Sequence, residues 1–270
     1  MTVQKLLLNA LEQFVSLVGI VFIAGFIISL FNRMFYSLVG NSRAVLYSTS
    51  FIGTPIHELS HAVMCILFGH KILEIKLFQM DSDDGTLGYV KHSSNPRNLY
   101  QQLGGYFIGV APILVSSVVL YFAMQNFIPE TYKVIGQVFN KLGSGKAFAW
   151  IANFDDYFVK IMKSLFSNMG DSIYSWIFII LSMCIALHMN LSRADLKGAL
   201  RSLPLVAILL AAVNLILGLV SRSAYSKFVA VMSKASLFLA LMLSLALMIS
   251  ALYVILAFIV RQILSLILRR

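Results

Sequence analysis

Charge is what this chain has least of. Only 12% of its 270 residues are Asp, Glu, Lys or Arg, while 59% are hydrophobic. With a mean hydropathy of +0.86, that balance excludes a soluble globular composition. Cysteine is scarcer still. Cys65 and Cys184 are the two thiols, both set in apolar runs, so neither a disulfide framework nor a cysteine zinc site is indicated. Lys and Arg number 21 against 11 acidic residues, yet no basic tract interleaved with aromatics occurs, and nucleic acid is excluded as a partner. The excess positive charge belongs to helix ends and lipid-facing loops. Internal repeats, low-complexity linkers and a second soluble domain are absent as well. The apolar run after Lys5 lacks a small-residue cleavage site, so it reads as a retained first helix.

What remains is a series of long apolar runs. About six are long enough to span a bilayer, near residues 6–30, 44–69, 99–124, 172–191, 203–220 and 235–260, against a requirement of roughly 20 residues. The expected fold class is an all-α polytopic membrane protein with two interruptions. Leu73, Ile75 and Leu77 alternate with Glu74 and Lys76, Asp83-Asp84-Gly85 offers a turn, and Thr86 to Lys91 resumes an extended pattern. This predicts a short membrane-associated β-hairpin. Within 125–171, Trp150, Ile151, Phe154, Phe158, Ile161, Met162, Leu165 and Met169 recur at helical spacing opposite Asn153, Asp156, Lys160, Lys163 and Ser167. An interfacial amphipathic helix is predicted there. The chain divides into a first helix and loop (1–43), a core (44–202) and C-terminal helices (203–270). Basic residues are nearly balanced between the two sides. The short loops nevertheless favour placing the N-terminus, and the side nearest the motif described next, in the cytoplasm, and the membrane expected is the plasma membrane.

Inside the second run stands His57-Glu58-Leu59-Ser60-His61. Histidines at i and i+4 project from one helix face and can share a Zn²⁺, with the intervening glutamate beside them as general base. Ionisable groups at membrane depth are costly and ordinarily face a bundle interior, a water-filled cavity or a partner. A catalytic zinc takes three protein ligands and keeps a position for water, so one ligand must come from elsewhere. Leu67 stands where a metzincin would carry its third histidine. Cys65 continues the His57–His61 row by one turn, too far along a straight helix to share the ion, and His70 ends the run. The candidates are Asp195 and His188, near the end of the fourth run. Asp195 is preferred, because the second and fourth runs cross in the same direction and bring it to the depth of the motif. His188 is the alternative.

These residues resemble the site-2 protease family of intramembrane zinc metalloproteases. The likeness covers 44–198: the HELSH segment, Leu87-Gly88-Tyr89-Val90, the glycines Gly104, Gly105 and Gly109 with Pro112, and Asn190 with Asp195. It implies zinc on His57, His61 and Asp195, Glu58 as base, and Asn190 near the active centre. The chain departs from the family pattern around Asn190, where prolines are absent and Gly198 follows Asp195 by three residues. The implied activity is zinc-dependent hydrolysis of a transmembrane or membrane-proximal protein or peptide substrate in contact with the lipid bilayer. The unwound substrate would add to the hairpin edge at 72–78. The alternative is a non-enzymatic membrane scaffold, or a metal-binding or transport protein.

Overall fold

Helices α1 (Val3–Phe14) and α2 (Ile20–Leu38) run as one rod, joined through a π-helical stretch at Val15–Gly19. In the computed structural model, which describes residues 2–80, 85–141, 151–167 and 172–268, this rod is followed by α3 (Arg43–Leu67), β1 (Lys71–Lys76), β2 (Tyr89–Ser93) and α4 (Leu99–Phe127). Then come α5 (Pro129–Lys141), a 3₁₀ turn at Ile151–Asn153, α6 (Phe154–Ser167), α7 (Ile173–Leu187), α8 (Arg193–Val220) and α9 (Arg222–Leu268). The boundary drawn at 202/203 falls inside α8.

Among the described residues, four helical stretches are long and apolar enough to cross a membrane: Val3–Leu38, Leu99–Phe127, Arg193–Val220 and Arg222–Ile267. Two of the runs expected to span do not meet that standard. Helix α3 is too polar, carrying Ser48, Thr49, Ser50, Thr54, His57, Glu58, Ser60 and His61, and α7 has only 15 residues where roughly 20 are needed. One face of each packs in the bundle: α3 against α4 and α7, and α7 against α4 and α9. Thr49, Ser50, Thr54, Glu58, Ser60 and His61 are on the buried face of α3, while the outer faces expose apolar side chains, Phe51 and Ile66 on α3 and Ile173 and Ile180 on α7, as Ile208, Ile216, Leu219 and Val220 do on α8.

One apolar core gathers Val21, Ile28, Val110, Ile113, Ile185, Met189 and Leu243 between α2, α4, α7 and α9. Another gathers Leu237, Leu241, Leu245 and Ile249 of α9 with Phe178, Ile135, Val138, Tyr157, Ile161 and Leu165. The amphipathic helix expected in 125–171 is α6, whose Tyr157, Ile161 and Leu165 are buried on the side facing α5. Trp150 and Met169 lie outside the described residues. Helix α5 was not anticipated, although Thr131, Ile135 and Val138 are buried at i, i+4 and i+7. Polar clasps join the long helices. Gln13 and Asn214 exchange amide hydrogen bonds of 3.3 and 2.9 Å between α1 and α8, which leaves neither amide unpaired in apolar surroundings.

The hairpin forms as an antiparallel pair with Ile72 opposite His92 and Ile75 opposite Val90, and a bulge between Ile72 and Glu74. The return strand begins at Tyr89, later than the expected Thr86. Gly85 takes the left-handed conformation with φ of 73°, and Asp83 and Asp84 lie outside the described residues.

Candidate active site

Helix α3 sets His57 and His61 one turn apart, with their Nε2 atoms 3.2 Å from each other. Each ring is aimed by a backbone carbonyl behind it. His57 Nδ1–H donates to the His188 carbonyl at 2.7 Å, and His61 Nδ1–H donates to the Ile108 carbonyl at 2.8 Å. With Nδ1 carrying the proton, the Nε2 lone pairs converge on one point, the usual outer-shell arrangement of metal-binding histidines.

Both carbonyls are available for local reasons. Residue 112, whose N–H would normally bond the Ile108 carbonyl within α4, is a proline and has none. His188 caps the end of α7, where the last carbonyls lack helical partners. The other carbonyls at that end are also satisfied. Cys184 accepts from His188 Nδ1–H at 2.9 Å, Ile185 from the His188 N–H at 3.0 Å, and Leu187 from Asn32 Nδ2 at 2.8 Å.

After α7 ends, the chain turns and opens α8 with a capping box. Ser192 Oγ accepts from the Asp195 N–H at 3.1 Å, and Asp195 Oδ2 accepts from the Ser192 N–H at 2.9 Å. The same carboxylate faces the histidines, with Oδ1 3.4 Å from His61 Nε2 and Oδ2 4.0 Å from His57 Nε2. Asp195 therefore sits in the first turn of α8, not at the end of the fourth run. Among the described residues the basic side chains within 4.0 Å of its carboxylate are the two histidines, not Arg193 or Lys197. One ligand atom from each of His57, His61 and Asp195 lies within 4.8 Å of the others. Two imidazoles and a carboxylate are a donor set that suits zinc with an open position.

His188 is not part of this group. Its Nδ1 is committed to Cys184 and its Nε2 lies 3.0 Å from Ser50 Oγ, so it contributes a backbone carbonyl and not an imidazole. Asn190 is exposed in the turn between α7 and α8 and does not line the cavity.

Glu58 is 6% exposed and lines, with His57, His61 and Asp195, a cavity of about 460 Å³. Its carboxylate accepts no side-chain hydrogen bond among the described residues. The walls are α3, Gly105, Ile108 and Gly109 of α4, the start of α8, and the hairpin at Thr86, Gly88, Tyr89, Val90 and His92. The bordering strand is thus β2 with the residues before it, and the edge at 72–78 does not line the cavity. Burial is the main cause holding the His92 imidazole below its ordinary value; His70 and His61 add to the effect and Asp195 opposes it. Close helix packing positions the ligands. A Cβ on Gly109 would stand 2.4 Å from the Asp195 carbonyl oxygen, and one on Gly53 would stand 2.2 Å from His188 Nδ1. Reading the sequence alone missed the two supporting carbonyls, although Pro112 four residues after Ile108 is a visible sign of a freed acceptor.

Residues 20–138 match the family model described as Peptidase M50B-like, a site-2 protease family of membrane metalloproteases. The matched stretch takes in α2, α3, the hairpin, α4 and most of α5, and so includes His57, Glu58 and His61 but ends before Asp195. The resemblance drawn from the HELSH segment holds over that stretch. No curated protein and no solved structure matches the chain.

Proposed function

We propose that the protein is a zinc metalloendopeptidase that hydrolyses peptide bonds of membrane-embedded or membrane-proximal substrates. The observation that carries this reading is the convergence of His57, His61 and Asp195 within 4.8 Å in the cavity that also holds Glu58. A zinc ion held by these three residues would supply a Lewis acid for the scissile carbonyl and lower the pKa of water toward about 7.

The residues of the chain do the rest. The Ile108 and His188 carbonyls hold both imidazoles in the Nδ1–H tautomer, keeping Nε2 free to bind. The capping box keeps the Asp195 carboxylate turned toward them. Glu58, with no side-chain donor on its carboxylate among the described residues, accepts the proton of the attacking water at a carboxylate oxygen and returns it to the leaving amine. An unwound substrate segment lies along Thr86–Val90, where strand addition pairs backbone groups that lipid leaves unsatisfied.

We propose further that the active-site side faces the cytoplasm of the plasma membrane. The test is metal analysis of detergent-purified protein beside cleavage of transmembrane peptides. Wild type is expected to hold zinc and cleave. Glu58→Gln should keep zinc and stop cleavage, and Asp195→Ala should lose zinc from this site. Cleavage surviving Glu58→Gln would overturn the assignment.

A further inference from the structure

The end of α3 brings together a second set of metal-type ligands outside the site above. Gly69, with φ of 68°, closes the helix in a Schellman arrangement: the Gly69 N–H bonds the Ile66 carbonyl at 3.2 Å and the His70 N–H bonds the Cys65 carbonyl at 2.8 Å. That closure folds His70 back onto Cys65. The hairpin register then sets His92 opposite Ile72, two residues beyond His70. One ligand atom from each of Cys65, His70 and His92 consequently lies within 4.8 Å of the others.

One of the two rings is aimed by a backbone carbonyl, as both are in the first pair. His70 Nε2–H donates to the Gln101 carbonyl at 2.8 Å, which leaves the Nδ1 lone pair facing His92. The two Nδ1 atoms are 3.1 Å apart, against 3.2 Å between the Nε2 atoms of His57 and His61. Two imidazole nitrogens on one tetrahedral zinc stand about 3.4 Å apart. Cys65 is fully buried and His70 is 7% exposed, so the thiol and one imidazole are shielded while His92 faces the cavity. Gln101 also ties the closure to α4, donating from Nε2 to the Gly69 carbonyl at 2.7 Å.

We infer that Cys65, His70 and His92 form a second metal site, selective for a zinc-type ion, that clamps the return strand β2 to the end of α3. Thiolate with two imidazoles is a borderline-soft donor set, suited to zinc and unsuited to magnesium or calcium. The bound ion would cross-link the helix carrying His57 and His61 to the strand bordering their cavity, so its occupancy would govern how firmly that wall is held. Binding requires Cys65 to lose its proton, and one proton is released per ion bound.

Cobalt(II) distinguishes this site from the first, because a thiolate ligand produces a charge-transfer band in the near ultraviolet that histidine and carboxylate do not. Full-length protein stripped of metal by chelation is titrated with Co²⁺ in detergent. The band is expected in wild type and in Asp195→Ala, and it should vanish in Cys65→Ala with the loss of one bound cobalt. His92→Gln, at an exposed strand position, keeps the test open if Cys65→Ala does not fold. It should weaken cobalt binding at the band by more than the roughly 10–100-fold that loss of an outer-shell partner costs. A wild type without the band, or a band that survives Cys65→Ala or is unmoved in His92→Gln, would overturn the inference, whatever the outcome of the peptidase test.

Discussion

Pro112 lies four residues after Ile108, and the Ile108 carbonyl that Pro112 cannot bond receives the Nδ1–H of His61 at 2.8 Å. A residue that weakens α4 as a helix thus supplies the acceptor that orients a metal ligand on α3. Pro112→Ala returns an N–H that competes for this carbonyl. The variant should be more thermally stable, since an interior proline costs about 3 kcal/mol or more. It should also bind zinc about 10–100-fold more weakly, the usual loss for an outer-shell partner. Thermal unfolding and chelator competition read the two effects separately, and unchanged zinc affinity would remove the role given to the Ile108 carbonyl.

Gly53 makes the corresponding approach on the other side. A Cβ there would lie 2.2 Å from His188 Nδ1 and 2.4 Å from the Cys184 carbonyl, so Gly53→Ala must push the end of α7 away. Overpacking of this kind costs about 1–3 kcal/mol. The specific consequence is at His57, which loses the His188 carbonyl, and zinc affinity should fall together with stability. A loss of stability with full zinc retention, measured on the same preparation, would show that His57 needs no such support.

Asp195 has two duties that substitution can separate. Asp195→Asn keeps a side-chain oxygen for the Ser192 N–H but removes the negative charge, so the helix start should persist while zinc binding drops. Ser192→Ala removes the cap, at a typical cost of about 1 kcal/mol, and frees the carboxylate to swing from the histidines. Its zinc affinity should fall less than that of Asp195→Asn. The reverse order, by zinc titration, would mean that Asp195 acts here chiefly as a helix cap.

The hairpin carries its own pH dependence. Lys91 Nζ lies 2.7 Å from Glu74 Oε2 and the Tyr89 hydroxyl donates to the same carboxylate; these bonds hold Glu74 below the usual glutamate range and Lys91 above the usual lysine range. For a depressed carboxylate the stabilisation is fully present above the unfolded value, about 4.3, and is lost as pH falls through the lower folded value. For Lys91 it is present below about 10.4 and lost at still higher pH. His92 of β2 is held below its ordinary value, so its contribution is full above about 6.5 and declines as pH falls further. Amide-exchange protection of β1 and β2, corrected for intrinsic rates, should therefore be flat from about pH 7 up to about 10.4 and should fall below about 6.5. A change of protection centred between about pH 7 and 10 would point to a different group.

How far the residues announce this structure differs from place to place. The HELSH spacing and the alternation around Glu74 are local patterns, and both survive because a helix face and a strand pair are set over a few residues. The position of Asp195 was less visible. Met189 and Leu191 continue the apolar run past His188, which hides the end of α7, while the true signal was Ser192 followed three residues later by Asp195, a capping box. The polar character of α3 could be read, but its consequence depends on which neighbours enclose it. Helix α5 escaped notice because its three buried positions stand among polar residues. Cys65, His70 and His92 meet through a helix closure and a strand register, and no linear spacing records that meeting.

The end of α7 gives the last prediction. Asn32 of α2 is buried, donates from Nδ2 to the Leu187 carbonyl at 2.8 Å, and accepts from the Tyr253 hydroxyl of α9. It thus anchors the residue next to His188, whose carbonyl holds His57. Asn32→Leu keeps the volume but leaves a carbonyl and a hydroxyl without partners, at about 1–3 kcal/mol for each buried group. Tyr253→Phe removes the hydroxyl along with its need and should cost less. If the anchor acts through His188, Asn32→Leu will weaken zinc binding while Tyr253→Phe leaves it close to wild type, although both reduce stability. Equal zinc affinity in the two variants, in the same chelator competition, would confine Asn32 to holding the helices together.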